Sequence, residues 1–422
     1  MSTDLKTTPL NSWHREAGAN MADFGGFDMP LWYKNGIKAE HLAVLSSAGI
    51  FDTSHMACIH VQGDDSYKLI NHCFTRDISD MLIGRCFYGA FLSEDGQCID
   101  DAIVYKFSER LFMICVNAGM GADITANLRA NAGSLKISIE DLSEKLAKMD
   151  IQGKNSARIL QKLIKNPETV FQNMPYFSFK GNIDIIERLP SEVADVRLLD
   201  GTSILLSRSG YTGEFGFEIF IKPEAIVKLW DDILKTGEEY NVIPCGLGAR
   251  DSLRAGACLP LSHQDIGHWL FADHPWDFAL PYNQDKSAFT KEFIGDKAIL
   301  ENAGKNFTFP FIGESLRKVS PGDNTKVLDS SDNITGTVLT CVTDMGITLH
   351  KGKIISIAGD NAKDINDIKI KGLSCGFVML DKKLEIGTEL TLKEEKRSIK
   401  VKIVDDVRPD RTARLKLDRF LD

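Results

Sequence analysis

Ser209-Gly210-Tyr211-Thr212-Gly213-Glu214-Phe215-Gly216-Phe217-Glu218 carries a glycine at every third residue and runs straight into the apolar alternation GFEIFIK (216–222). A dinucleotide fingerprint of the G-x-G-x-x-G type opens a helix, whereas this segment opens a strand. It therefore argues against a doubly wound parallel sheet. The turn itself has two readings. One is a plain hairpin; the other is a loop whose glycines let a flat ligand approach the backbone, with Glu218 accepting hydrogen bonds from amino and ring N–H groups. Outward from it, short strands recur at 57–63, 98–107, 111–117 and 202–210, with helical patterns between them at 66–74, 124–132, 156–164 and 225–237. This irregular interleaving predicts an α+β body with antiparallel or mixed sheets over residues 1–300, read as two interleaved domains.

After Phe293-Ile294-Gly295-Asp296 the pattern changes. One helical stretch, DKAILENA (296–303), gives way to a polar run at 318–336 and then to short strands at 335–342, 352–359, 373–380, 389–395 and 398–404. Turn residues separate these strands, so residues 301–422 are expected to form a C-terminal β-barrel or sandwich domain. Lys and Arg total 50 against 59 Asp and Glu, a net charge of −9. That balance argues against a nucleic acid or an anionic membrane as partner and leaves room for a local basic pocket. The 9 cysteines are scattered singly with no CxxC, which suits neither a zinc ribbon nor a disulfide framework. No secretory signal opens the chain and no apolar run approaches the roughly 18–20 residues of a membrane span, so a reducing cytoplasm is the expected setting.

Four further segments carry candidate chemistry. In Gly96-Gln97-Cys98-Ile99-Asp100-Asp101-Ala102-Ile103-Val104-Tyr105 two adjacent carboxylates open an apolar strand. Strand neighbours point to opposite faces, so one Asp is expected at solvent or capping the turn while the other enters a cleft, where burial raises its pKa towards the working pH of an acid–base group. The bland alternative is a hairpin turn followed by a solvated edge. Pro244-Cys245-Gly246-Leu247-Gly248-Ala249-Arg250-Asp251-Ser252-Leu253-Arg254 reads as a turn entering a helix that sets Arg250 and Arg254 on one face. There they could fork a ligand carboxylate, or serve as ion-pair partners of nearby acids. The stretch from Ser262 to Trp276 holds His263, His268 and His274, whose spacings fit neither one helical face nor HExxH; an aromatic loop lining a pocket is expected rather than a metal site. His55, in Phe51-Asp52-Thr53-Ser54-His55-Met56, lacks a triad partner and reads as structural or ligand-positioning.

Taken in order, these segments resemble the aminomethyltransferase (T-protein) family of the glycine cleavage system, within the broader folate-dependent aminomethyl- and methyltransferases. The resemblance rests on TPL (8–10), ADFGGFDMPLWY (22–33), AGIFDTSHM (48–56), IDDAIVYKF (99–107), VNAG (116–119), IQG (151–153), SGYTGEFGFEI (209–219), PCGLGARDSLRAGA (244–257) and EFIGDKAI (292–299), colinear over about residues 8–300. It implies a three-domain, clover-like fold around a central channel for tetrahydrofolate. It also implies roles for single residues: Asp101 as the essential carboxylate near folate N10, Asn117 as a folate contact, Glu218 as the acid that grips the pterin, Arg250 as a required arginine, and Tyr88, Leu92 and Tyr211 as pocket lining. The implied reaction moves the methylene carbon of a lipoyl-bound aminomethyl group to tetrahydrofolate with release of ammonia. It calls for a lipoyl carrier protein (H-protein) as partner and for no metal.

Three segments depart from the family pattern. QGP becomes Gln152-Gly153-Lys154, and Thr340-Cys341-Val342-Thr343-Asp344 stands where a TSG-type motif is usual. After SLRAGACL, where such proteins continue through a Tyr-Gly stretch and an acidic Thr-Pro loop, this chain has Pro260-Leu261-Ser262-His263-Gln264-Asp265-Ile266 and an aromatic run to Phe278. The last two regions are expected to shape the substrate end of the channel. They keep a second reading open, a tetrahydrofolate-dependent demethylase of a small S-, O- or N-methyl compound. A third, a non-catalytic folate-binding protein of iron–sulfur maintenance, would carry a KGCYxGQE-like motif where this chain has Thr290-Lys291-Glu292-Phe293-Ile294-Gly295-Asp296-Lys297.

Overall fold

The structure, a computed structural model, describes residues 5–183, 193, 195–302, 304–358 and 368–421. Two sheets form the body. The first is six-stranded, in the spatial order Phe179–Gly181, Leu205–Ser207, Gly216–Ile221, Ala147–Gln152, Gly49–Asp52, Ile243–Pro244. Its pairings are antiparallel except the last, which is parallel. The second is five-stranded and antiparallel, in the order Cys86–Leu92, Cys98–Ser108, Leu111–Val116, Ala57–Gly63, Ile137–Asp141. The chain leaves the first sheet at Asp52, builds the whole second sheet, and re-enters the first at Ala147. One unit is thus inserted into the other.

Apolar patterning explains why these segments fold as they do. Leu111–Val116 is buried at every position, the signature of a strand covered on both faces. The helix Ile226–Thr236 buries Ile226, Leu229, Trp230 and Ile233, the i, i+3, i+4, i+7 set that makes one face. That face packs into the cluster of Met149, Ile151, Phe217 and Ile219 beneath the first sheet. Each such side chain removed from water contributes about 1.5–3 kcal/mol. Because the outward sides of Ala147–Gln152 and Gly216–Ile221 are fixed by this packing, their polar residues are forced to the opposite face, inside the molecule.

Residues 307–403 contain a closed six-stranded barrel, in the order Phe307–Gly313, Leu373–Leu380, Ile334–Asp344, Gly322–Leu328, Glu389–Lys393, Ser398–Ile403. The expected β-rich third unit is therefore a barrel. Its strands differ from the sequence expectation at two places. Gly322–Leu328 lies within the run read as polar, because Thr325, Val327 and Leu328 turn inward while the residues between are exposed. The segment near 352–359 stays outside the barrel; Lys353–Ser356 pairs only with Ile347–His350 in a separate ribbon.

A buried polar hub fastens barrel to body. Arg408 Nε donates to Glu214 Oε1 at 3.0 Å, and Nη1 to Asp344 Oδ1's sister oxygen Oδ2 at 2.5 Å; Nη2 donates to the carbonyls of Thr212 and Leu253. Asp344 Oδ1 in turn faces His41 Nε2 at 3.0 Å, and His41 Nδ1 meets Ser252 Oγ at 2.8 Å. Gly256 makes the approach possible, since a Cβ there would lie 2.0 Å from Asp344 Oδ2. Beyond the barrel the chain runs back over the body, where Leu417 and Phe420 join the cluster under the first sheet and the tilted rings of Phe420 and Phe215 have centroids 3.9 Å apart.

Candidate active site

The strand Cys98–Ser108 pairs Ala90 with Asp101, Phe91 with Asp100 and Leu92 with Cys98, leaving Ile99 unopposed. This one-residue bulge re-aims the chain where the two carboxylates lie. Asp101 Oδ2 accepts from Tyr88 Oη at 2.8 Å and Oδ1 from Asn117 Nδ2 at 2.6 Å. Asp100 accepts from the Asn117 backbone N at 2.9 Å, from Asn117 Nδ2 at 2.8 Å and from Ser262 Oγ at 2.7 Å. The expectation that one Asp would face solvent or cap the turn is corrected: Asp100 is 0% and Asp101 9% exposed. The bulge and the Asn117 amide draw both inward.

Burial first, then the neighbouring negative charge of Asp100, pushes the Asp101 carboxyl up to about 7. Burial likewise raises Asp100 to about 6, against the opposing hydrogen bonds from Ser262 and Asn117. The two titrate as a pair, so near neutral pH this pair can both take and give a proton. Tyr88, carrying one of its hydrogen bonds, is held well above the ordinary phenol value by burial and by the Asp101 charge.

A second group faces the interior from the first sheet. Lys148 Nζ lies 2.8 Å from Asp150 Oδ1, 2.5 Å from Glu218 Oε1 and 3.2 Å from Thr53 Oγ1. Ser209 Oγ donates to the other oxygen of Glu218, and Ser207 Oγ meets Ser209 Oγ at 2.6 Å. Arg250 Nη1 reaches Asp150 Oδ2 at 3.2 Å, and its guanidinium stands 4.6 Å over the ring of Tyr211. Burial alone would raise Asp150, but the charges of Lys148 and Arg250 hold it below the ordinary carboxylate value. Tyr211 joins the two groups: half-buried, it feels the charges of Arg254, Asp101 and Arg250. Its loop depends on Gly213, at φ +77°, where a Cβ would lie 2.6 Å from Ala257 Cβ.

The site thus gathers Tyr88, Asp101, Asn117, Tyr211, Glu218 and Arg250 into connected groups on facing elements. Leu92 is fully enclosed, in a cluster with Phe271, Trp276 and Ala279 of the aromatic segment. The two arginines of the helix Leu247–Gly256 do not act as one fork. Arg254 is buried against Asp265, Asp251 and Thr340, the ion-pair reading of that residue, while Arg250 alone turns to the site. His55 is buried between Phe24 and Phe27 with an unpartnered Nδ1, and burial pushes its imidazole down to about 4, so it is neutral. His274 stacks on Trp269 with ring centroids 5.0 Å apart, and His268 is exposed; among the described residues no group of three His, Cys, Asp or Glu could hold a metal ion. The nine cysteines are free thiols.

Sequence reasoning missed Lys148 and Asp150. Ala147–Gln152 alternates apolar and polar residues, the pattern of a half-solvated strand. The available signal was two such strands, Ala147–Gln152 and Gly216–Ile221, each with charge on one face: paired, they put an acid opposite an acid, a placement that demands a cation between them.

One sheet inserted into another, a closed barrel packed against them and a buried carboxylate pair make up this architecture. Residues 10–269 match the model of the GCVT N-terminal domain, and the chain belongs to that family. It is 33% identical to an aminomethyltransferase of Geobacillus sp. (strain WCH70) over 376 residues, covering 87% of this chain and 96% of that one. To an aminomethyltransferase of Clostridium botulinum (strain Okra / Type B1) it is 31% identical over 403 residues, covering 95% and 96%. The crystal structure of glycine cleavage system aminomethyltransferase T from Bartonella henselae superimposes with a TM-score of 0.74 at 25% identity, over 95% of this chain and 97% of that one. The resemblance carried by the ordered motifs is borne out, together with the three-part fold and the assignment as an enzyme of aminomethyl transfer.

Proposed function

We propose that the chain moves the methylene carbon of an aminomethyl group, carried as a thioether on the lipoyl arm of a carrier protein, to tetrahydrofolate. In the overall transfer the carbon gains bonds to two folate nitrogens and loses its bonds to sulfur and to the amine nitrogen. The two protons released from the folate nitrogens end on the thiol and on ammonia, so the reaction balances without oxidant or reductant. Such chemistry asks a protein for positioning, for a proton acceptor and donor near neutrality, and for negative charge beside a developing iminium. The observation that carries the reading is Asp101, buried between Tyr88 and Asn117 and raised to about 7.

The other residues fit the acceptor substrate. Glu218 has two engaged oxygens yet keeps carboxylate lone pairs for pterin N–H groups. Arg250 spends an N–H on Asp150 and its face on Tyr211, leaving donors for a folate carboxylate. Tyr88, Tyr211 and Asn117 would line the same space, whereas Leu92, expected as lining, is enclosed in the apolar cluster behind it. Purified protein incubated with tetrahydrofolate and an aminomethylated lipoyl carrier should release ammonia and form 5,10-methylenetetrahydrofolate. Absence of both products overturns this reading. Formation of 5-methyltetrahydrofolate from a small methyl compound instead would favour the demethylase reading, for which the Phe278 ring 5.8 Å from that of Tyr88 is the supporting observation.

A further inference from the structure

The segment that departs from the family pattern reaches the carboxylate pair from the solvent side. Ser262 Oγ donates to Asp100 Oδ1 at 2.7 Å, and the next residue, His263, holds Nε2 3.7 Å from the same oxygen. Of the two side chains in that ion pair, Asp100 is 0% and His263 44% exposed. His263 therefore has one edge in water and the other at a fully buried carboxylate. Its backbone is left-handed, φ +60°, a conformation that costs a histidine free energy and that glycine adopts freely. On the inner side, one amide nitrogen, Asn117 Nδ2, donates to Asp100 Oδ1 and Asp101 Oδ1 together, at 2.8 and 2.6 Å. The charge state of Asp100 is thus felt directly at Asp101.

We propose that His263, with Ser262, is the solvent port of the acid pair: it exchanges protons between bulk water and Asp100 and so resets the charge against which Asp101 works. The inference rests on the function proposed above. Imidazole suits this task because its two ring nitrogens can each give or take a proton. Across the 3.7 Å gap the step needs one bridging water: in the inward direction the Nε2–H bond of the imidazolium breaks as that water accepts the proton, the water gives up one of its own, and an O–H bond forms on Asp100, leaving neutral imidazole, which recovers its proton from solvent. The outward step is the reverse. His263 acts through Asp100, so it is a positioning residue rather than a catalytic one. The ionisable groups facing Asp100 from the packed elements are Asp101 and Cys98 on its own strand, together with His263; the charge on both acids is felt at Cys98.

His263→Gly is the decisive variant, since the left-handed backbone accepts glycine without strain and the lost ring leaves room for a small base. Transfer is assayed with tetrahydrofolate and the aminomethylated carrier, first for the parent protein. An inactive parent protein would sink the proposed function and with it this inference. With an active parent, His263→Gly should lose roughly tenfold or more in kcat with little change in KM, and added imidazole should restore rate in a concentration-dependent way. Ser262→Ala, which keeps the imidazole, should shift the pH profile without gaining imidazole dependence. An active parent combined with an unchanged rate, unchanged pH profile and no imidazole response in His263→Gly overturns the proposal.

Discussion

Asp150 and Glu218 lie directly opposite each other on antiparallel strands, and one buried ammonium, Lys148 Nζ, bonds both, at 2.8 and 2.5 Å. Like charges in that position oppose pairing, so the cation between them sets the sign of the interaction. Burial would discharge Lys148, yet the two carboxylates hold it above the ordinary lysine value. Lys148→Met should therefore cost about 3–5 kcal/mol, the penalty for leaving buried charge uncompensated. Urea denaturation checks it; an unchanged midpoint would show that the carboxylates find compensation elsewhere.

Asp101→Asn keeps the shape and removes the titrating group. Turnover should fall by roughly 10²–10⁴-fold. Tetrahydrofolate binding, followed by calorimetric titration, should survive, because Tyr211, Glu218 and Arg250 are untouched. Full turnover in the variant would remove Asp101 from the chemistry.

The acid pair gives a pH prediction with a definite sign. Asp101 releases its proton at about 7, so a rate that needs its ionised form rises with pH through that region. The negative charge of Asp100 is one cause of that raised value, second to burial. Asp100→Asn removes the charge, so the rising limb should move to lower pH; a limb that stays in place would show that another group controls it. Stability follows the same linkage. A carboxyl raised in the folded state stabilises the fold only while protonated, and that stabilisation is lost as pH climbs from the ordinary carboxylate range through about 7. Unfolding of Asp100→Asn between pH 5 and 8 should show a shallower decline than the parent's.

Arg408→Leu should strand Asp344 and Glu214 inside the protein and destabilise it by about 3–5 kcal/mol. In the parent, burial would raise Asp344, but the charges of Arg408 and His41 hold it well below the ordinary carboxylate value. That contribution is present at neutral pH and lost only in acid, as pH falls below the carboxylate range. The parent should consequently lose stability more steeply than the variant as pH falls from about 4 to about 2, as read from thermal unfolding across that range. A parent-like melting temperature at pH 7 would contradict the hub's role.

What could be read from the sequence follows the physics of local pattern. The strand 111–116 and the helix 226–236 declared themselves by periodicity, and motif order singled out Asp101, Asn117, Glu218 and Arg250, whose roles are proposed. The inward turn of Asp100 was hidden because a bulge at Ile99 breaks the period of two on which the expectation rested. Gly322–Leu328 was hidden because a barrel strand with one solvated face needs only a few inward apolar groups. Lys148 and Arg408 were hidden for a different reason: Glu218 and Asp344, which hold them, come from distant parts of the chain, and a single strand's pattern does not distinguish a buried cation from a solvated one.

The return of residues 408–420 across the body has a consequence in time. Thr412 Oγ1 accepts from the backbone N of Phe215, 197 positions earlier, and the backbone N of Ala413 donates to Gly213. The turn that carries Tyr211 is therefore completed by chain made long after it. At a ribosomal rate of about 5–20 residues per second, the emerging protein would hold its sheets with an unfinished ligand loop for roughly ten to forty seconds. Competence to bind would arrive in a single late event, when the barrel has closed and the following segment has docked, rather than growing with the chain.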